Sequence, residues 1–164
     1  MQFNFMPNKK KLKKTEYLDF FHARTEEQIK LMEKIEKDDV CPFCPEHFKK
    51  YHPKEVLKET EWWMVTENMS PYEGTRVHLI LVYKKHIAMP NKMDPKAATE
   101  LVKLFDWVIK KYKIKGGSFF VRFGDTRYTG GSVDHLHVQF LTGTAKSDDK
   151  KRDKLKVKLG YKKI

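Results

Sequence analysis

Two histidines and a glutamine alternate with apolar residues late in the chain: His135, His137 and Gln139, with Leu136, Val138 and Phe140 following each in turn. A period of two is the pattern of a strand with one polar and one apolar face. On such a strand His135, His137 and Gln139 share a face, and the apolar three turn toward a core. A neutral imidazole can attack through one nitrogen while a hydrogen bond holds the other. A glutamine amide offers hydrogen bonds but no acidic proton. The row therefore suits chemistry at an anionic centre such as phosphate, or is a polar strand face with no chemistry. Just before it, Thr129-Gly130-Gly131-Ser132 is a loop whose glycines let backbone N–H groups approach a phosphate closely. Arg122, on the apolar segment ahead of the loop, reads as a bidentate phosphate contact or as a solvated strand arginine, and stands ahead of Arg127.

A second cluster is Cys41-Pro42-Phe43-Cys44. Two thiols three positions apart supply half of a tetrahedral zinc site or a redox pair, and are too few for a disulfide framework. Spacing alone allows a local knuckle, Cys41-x2-Cys44-x2-His47-x4-His52, or ligands from elsewhere in the chain, or bare thiols. His22 and His78 read as ordinary surface or packed side chains.

The elements that would position these groups follow from periodicity and punctuation. Thr25-Glu26-Glu27-Gln28 has capping-box spacing, and Ile29, Leu31, Met32 and Ile35 predict a helix over 26–37. A short helical piece is expected at 45–51, after the proline-flanked knuckle. Residues 61–66 and 77–83 read as strands, with a turn-rich loop from Asn68 to Gly74 between them. Asp94-Pro95 caps a helix over 95–111, whose Leu101, Leu104, Phe105, Val108 and Ile109 form a core face. Strands are expected at 119–123 and 133–141, with a loop over 125–132. A helix-like piece at 148–155 and a strand at 155–160 end the chain. This succession predicts a single α+β domain with an antiparallel sheet and flanking helices.

The 164 residues carry a net charge of +12, unevenly spread. Residues 1–14 hold five lysines and no acid, residues 145–164 a net +6, and the part between about +1. The reading is a basic lead-in (1–14), a domain (15–144) and a basic C-terminal extension (145–164). Basic ends are solvated tails or touch nucleic acid by counterion release. No apolar run is long enough to span a bilayer and no apolar stretch follows the basic N-terminus, so a cytoplasmic protein without a membrane partner is expected.

With these residues in view, Gly130 to Gln139 resembles the signature of the histidine-triad (HIT) superfamily of nucleotide hydrolases and transferases, His-x-His-x-His or His-x-His-x-Gln with apolar residues between. Asn68, Pro71, Gly74 and the run from His78 to Ile87 resemble that family's ribose-side loop and following strand. Cys41 and Cys44 resemble the pair in its zinc-containing members. The resemblance spans about residues 40–142 in family order. It implies a HIT-like sheet, with His137 as the nucleophile that takes the α-phosphorus as a nucleotidyl-histidine. It implies that Gly131, Ser132 and nearby backbone hold phosphate oxygens, and that Asn68 lies near the ribose. It also implies that His86 and His135 complete a Zn2+ site with Cys41 and Cys44, and that a homodimer forms near helix 95–111. Gln139 in third place resembles the transferase branch, the nucleotide-sugar uridylyltransferases and dinucleoside-polyphosphate phosphorylases, because glutamine cannot protonate a leaving group as imidazolium does. Leu136 stands where the uridylyltransferases carry proline, and the chain is shorter than those two-lobed enzymes, which speaks against a galactose-pathway role. The expected substrate is a dinucleoside polyphosphate, nucleotide sugar or phosphoramidate. Two other readings stay open: a HIT hydrolase without its third histidine, and a nucleotide- or nucleic-acid-binding module with a vestigial site.

Overall fold

In the computed structural model, residues 13–146, 153–157 and 159–162 are described. Helix α1 (Glu26–Asp38) starts where the Thr25 side chain accepts the Gln28 N–H, and stops at Asp39, whose φ of 49° is left-handed. Helix α2 (Pro45–Tyr51) has Cys44 as its N-cap and proline in its first turn, so the chain turns into helix directly after the second cysteine. Helix α3 (Pro95–Lys111) begins with Asp94 accepting the Lys96 N–H. Helix α4 (Thr126–Thr129) is one short turn, closed by Gly130 at φ 71°.

Five strands, β1 (Val56–Glu59), β2 (Trp63–Glu67), β3 (Val77–Tyr83), β4 (Ser118–Arg122) and β5 (His137–Thr142), form one antiparallel sheet in the order β1-β2-β3-β5-β4. Every residue of β3 and β5 is buried, because helices cover both faces of the sheet centre. That is why β3 reads as almost continuously apolar rather than alternating. On one face, Ala97, Leu104 and Val108 of α3 pack on Trp63, Val65, Leu79, Leu81, Val138 and Phe140. The Trp63 indole N–H donates to the Ala97 carbonyl at 2.8 Å and ties α3 to the sheet. On the opposite face, Phe48 of α2 covers Met64, Ile80 and Val82. Beyond it, Ile29, Met32 and Ile35 of α1 pack with Leu18, Phe20 and Tyr51. A space is left between α1 and the β5 end of the sheet.

The fold is the expected α+β domain with an antiparallel sheet, and several boundaries move. The strand expected at 61–66 starts at Trp63, because Thr60 and Trp63 close a tight turn through two hydrogen bonds. Strand β1 was not expected; its Lys58 and Glu59 hide an edge strand with an irregular register. The strand at 119–123 shifts to Ser118–Arg122, and the loop 125–132 contains α4. The strand expected over 133–141 begins only at His137. Upstream of it, the Asp134 N–H bonds the Tyr17 carbonyl and the Leu136 N–H bonds the Ile87 carbonyl, partners outside the sheet. His135 is therefore not in the strand. Residues 153–157 have no regular structure, and no strand forms among the described residues of 155–160; positions 148–152 of the expected 148–155 helix lie outside the described residues. Most of the lead-in, 1–12, also lies outside them. No described helix is long and apolar enough to cross a membrane.

Candidate active site

Strand pairing brings the polar residues together. Across the sheet, His137 faces Val82 on β3 and Arg122 on β4, while Gln139 faces Ile80 and Phe120. His137 and Gln139 thus share a face, as period two requires, and both are buried at 7% and 6% exposure. They line a cavity of about 440 Å³ together with Gln28, Asn68, Tyr72, Arg122, Gly131 and Ser132. Among the described residues no carboxylate lines it, whereas Arg24, Arg122 and Lys156 do.

The His137 ring is oriented by its own chain. Its Nδ1 lies 2.7 Å from the His135 carbonyl. A carbonyl only accepts, so Nδ1 carries the hydrogen and Nε2 keeps its lone pair. Phe43 stands edge-on to the ring, with centroids 5.1 Å apart. Burial, with a smaller contribution from the Arg122 charge, lowers the His137 pKa to about 4. The imidazole is neutral at physiological pH, the state in which nitrogen attacks phosphorus.

Gln139 is fixed by a network anchored on backbone donors. The Ser70 N–H bonds Asn68 Oδ1 at 2.8 Å, so the other end of that amide is the donor, and Asn68 Nδ2 reaches Gln139 Oε1 at 3.1 Å. The Tyr72 N–H bonds His78 Nδ1 at 3.1 Å, so His78 carries its hydrogen on Nε2 and donates to Gln139 Oε1 at 2.7 Å. A flipped Gln139 would set donor against donor at both contacts. Its oxygen is therefore engaged, and its NH2 is the end left to meet a ligand. Burial keeps the His78 pKa below its ordinary value, so this network is neutral.

The sequence-derived candidates fare differently. Arg122 lines the cavity; its Nε donates to the Thr129 carbonyl at 3.0 Å and its Nη2 to the Tyr72 hydroxyl at 2.6 Å. Ser132 Oγ accepts from Gln28 Nε2 at 3.2 Å. The glycine-rich loop is less open than expected: the Gly130 N–H bonds the Thr126 carbonyl and the Gly131 N–H bonds Thr129 Oγ1. Asn68 reaches the cavity wall, but its amide is committed to Ser70 and Gln139. Arg127 is not among the lining residues and pairs with Asp125. Sequence reasoning missed Arg24, Tyr72 and His78. His78 left a trace, a histidine inside an apolar strand; Arg24 left none.

The second cluster assembles from three distant segments. The ligating atoms of Cys41, Cys44, His86 and His135 lie within 4.8 Å of one another. Cys41 Sγ is 3.3 Å from His135 Nδ1, Cys44 Sγ is 3.6 Å from His86 Nδ1, and the two Nδ1 atoms are 3.2 Å apart. A tetrahedron of ordinary zinc bonds has S–N edges of about 3.6 Å and N–N edges of about 3.3 Å. The His135 tautomer also fits: Nε2 donates to the Tyr83 carbonyl at 2.6 Å, so Nδ1 presents a lone pair to the cluster. Burial pushes the Cys41 thiol up to about 12. A divalent cation is the group that would offset that cost. The local alternative does not form. His52 turns away, with Nε2 bonded to the Glu67 carbonyl and Thr66 Oγ1, and His47 sits beside Glu46 at the surface.

No protein-family model matches the chain, and no curated protein matches it. Solved structures do match. A histidine-triad protein from Clostridium difficile is 20% identical with a TM-score of 0.52, over 67% of this chain and 96% of that one. A HIT family hydrolase from Clostridium thermocellum is 24% identical with a TM-score of 0.51, over 70% and 96%. A zinc-bound histidine-triad family protein from Mycobacterium smegmatis is 17% identical with a TM-score of 0.51, over 68% and 79%. The sheet order, the flanking helices and these shared backbones agree with the motif order in the sequence: this chain has the histidine-triad fold.

Proposed function

We propose that the protein is a histidine-triad enzyme that transfers or hydrolyses nucleoside monophosphate groups through a covalent nucleotidyl-histidine at His137. The observation that carries this reading is the His137 ring itself. It is buried, neutral, held by a carbonyl through Nδ1, and presents Nε2 to a cavity whose charged lining residues, among those described, are all cations. Nε2 forms a bond to the α-phosphorus as the bond to the leaving group breaks. Arg122, Ser132 and the Gln139 NH2 are placed to hold phosphate oxygens as charge builds. Gln139 supplies hydrogen bonds and no acid, which favours leaving groups that depart as stable anions and transfer to an acceptor over hydrolysis. Expected substrates are a dinucleoside polyphosphate or a nucleotide sugar, whose leaving groups are anions, and a phosphoramidate, whose amine needs a proton to depart, as the slower one.

The reading includes one zinc ion held by Cys41, Cys44, His86 and His135. When bound it would brace the loop before β5, because His135 contributes its ring to the cluster and its carbonyl to His137. It also includes a homodimer through α3 and the edge strand β4, which expose Val102, Ile109 and Phe119. Sedimentation equilibrium tests the dimer; Val102→Glu is expected to yield monomer, and a wild-type monomer would remove this part.

The test of the chemistry is covalent trapping. Incubation with substrate labelled in the α-phosphoryl group, followed by denaturation, is expected to leave acid-labile label on His137. Released nucleotide should depend on added phosphate or sugar phosphate if transfer is the main course. Fast turnover without any acceptor would replace transfer by hydrolysis, and no covalent label with any of the three substrate classes would remove the mechanism.

A further inference from the structure

The chemistry at His137 leaves one buried acid idle. Asp19 is 1% exposed, and its carboxylate accepts the Phe21 N–H at 3.1 Å and the Thr126 hydroxyl at 2.7 Å. Its third neighbour is His22, whose Nδ1 lies 3.3 Å from Asp19 Oδ2 and 3.0 Å from the Gly131 carbonyl. Carboxylate and carbonyl oxygens accept, so Nδ1 carries the hydrogen and Nε2 keeps its lone pair. The Tyr161 hydroxyl donates to that Nε2 at 2.8 Å. Carboxylate, imidazole and hydroxyl thus stand in line, the arrangement by which a base draws the proton from a hydroxyl.

Tyr161 is held in this position by its neighbour. Gly160 has a φ of +88°, and an added Cβ would lie 2.3 Å from the Tyr128 carbonyl oxygen, so only glycine lets the segment lie against α4. The line is joined to the phosphate site through the loop before β5. Arg122 is paired with His137 across β4 and β5, and its Cδ lies 3.5 Å from where a Cβ on Gly131 would stand. The Gly131 carbonyl is the one that His22 holds. His22, Gly131, Tyr161 and His137 all line the same cavity.

We propose that Tyr161, backed by His22 and Asp19, is the base that activates the acceptor, and that the acceptor is a neutral hydroxyl, water or an alcohol. The proposal rests on the nucleotidyl-histidine reading of His137. The placement of the hydrogens decides the role. His22 Nε2 bears none, so the line can take a proton and has none to spare for a leaving group. In the discharge step the acceptor oxygen bonds to the α-phosphorus. The bond from phosphorus to His137 Nε2 breaks, and its electron pair returns to that nitrogen. The acceptor's proton passes to the Tyr161 oxygen as the phenol's own proton passes to His22 Nε2, leaving an imidazolium beside the Asp19 carboxylate. Return of that proton through Tyr161, 74% exposed, to solvent resets the line. A phosphate acceptor is already an anion and would leave this base without a task.

The test separates loading from discharge in the full chain. His137 is loaded from diadenosine tetraphosphate, UDP-glucose or adenosine phosphoramidate labelled in the α-phosphoryl group. After removal of excess probe, it is discharged in water, in water with glycerol, or in water with inorganic phosphate. The wild type is expected to discharge into water or glycerol, with little gain from phosphate. Nucleoside monophosphate as the product marks water, and a nucleotidyl glycerol marks an alcohol. Tyr161→Phe and His22→Asn should each slow that discharge by about 10²-fold, the scale of a lost general base, and slow loading far less. Asparagine keeps an N–H for the Gly131 carbonyl but cannot take a proton, so a merely structural role of His22 would be rescued by it. Discharge that needs phosphate, wild-type discharge in either variant, or loading and discharge falling together would each overturn the proposal with the His137 reading intact. Absence of label from every probe removes that reading, and this proposal with it.

Discussion

Replacing His137 with alanine is expected to lower turnover by about 10⁴-fold or more, the scale on which a covalent nucleophile is missed. The fold should survive. His137 touches the α2-side packing through Phe43, and its ring donates to the His135 carbonyl, which water can serve once the ring is gone. The informative comparison is Gln139→Ala. Gln139 is equally buried and neighbours the same cavity, but it contributes hydrogen bonds and no bond to phosphorus. Its loss should cost about 10²-fold, as for one donor to a developing oxyanion. Single-turnover rates separate the two, and the covalent label should vanish only in His137→Ala. Equal losses for both variants, or full turnover in His137→Ala, would make the site electrostatic rather than nucleophilic. His78→Ala should resemble a weakened Gln139, because His78 orients the amide and does not face phosphate itself.

The second large effect concerns stability. Mass spectrometry under native conditions is expected to find one zinc per chain, absent from the double variant Cys41→Ser, Cys44→Ser. Removal should lower the melting temperature by about 10 °C, which for a domain of this size corresponds to about 3 kcal/mol. The cluster joins the knuckle before α2, the segment after β3 and the segment before β5, three regions far apart in the chain. Without the cation, two buried thiols and two imidazoles face one another with little to offset their desolvation. Activity should fall alongside stability, since the His135 carbonyl orients His137. Zinc should also be released as pH falls, because protons compete for sulfur and nitrogen lone pairs. A melting temperature insensitive to chelation, with no bound metal, would show a cluster of packed thiols and imidazoles instead.

Much of this was legible in the residues before any coordinates. The helices at 95–111 and 45–51 appear where caps, prolines and apolar spacing put them, because those signals act within a turn or two. The pairing of His137 with Gln139 on one face follows from the geometry of any extended chain. Local pattern could not place His135. Its neighbours Asp134 and Leu136 bond to Tyr17 and Ile87, partners more than 40 positions away, and that takes it out of the strand and turns its ring toward the cysteines.

The choice between local and distant metal ligands was likewise decided by packing: His52 is captured by Thr66 and Glu67, and only the sheet brings His86 beside His135. The orientation of Gln139 rests on Asn68 and His78, which are fixed in turn by backbone N–H groups of a loop. Arg24 reaches the cavity only because α1 folds back over the sheet. By itself the sequence determined which chemical groups are present and which of them share a local face. The tertiary structure decided which distant groups meet, which nitrogen of each ring carries the hydrogen and which end of each amide faces the cavity. Those properties belong to hydrogen bonds between segments remote in the chain, and no local spacing encodes them.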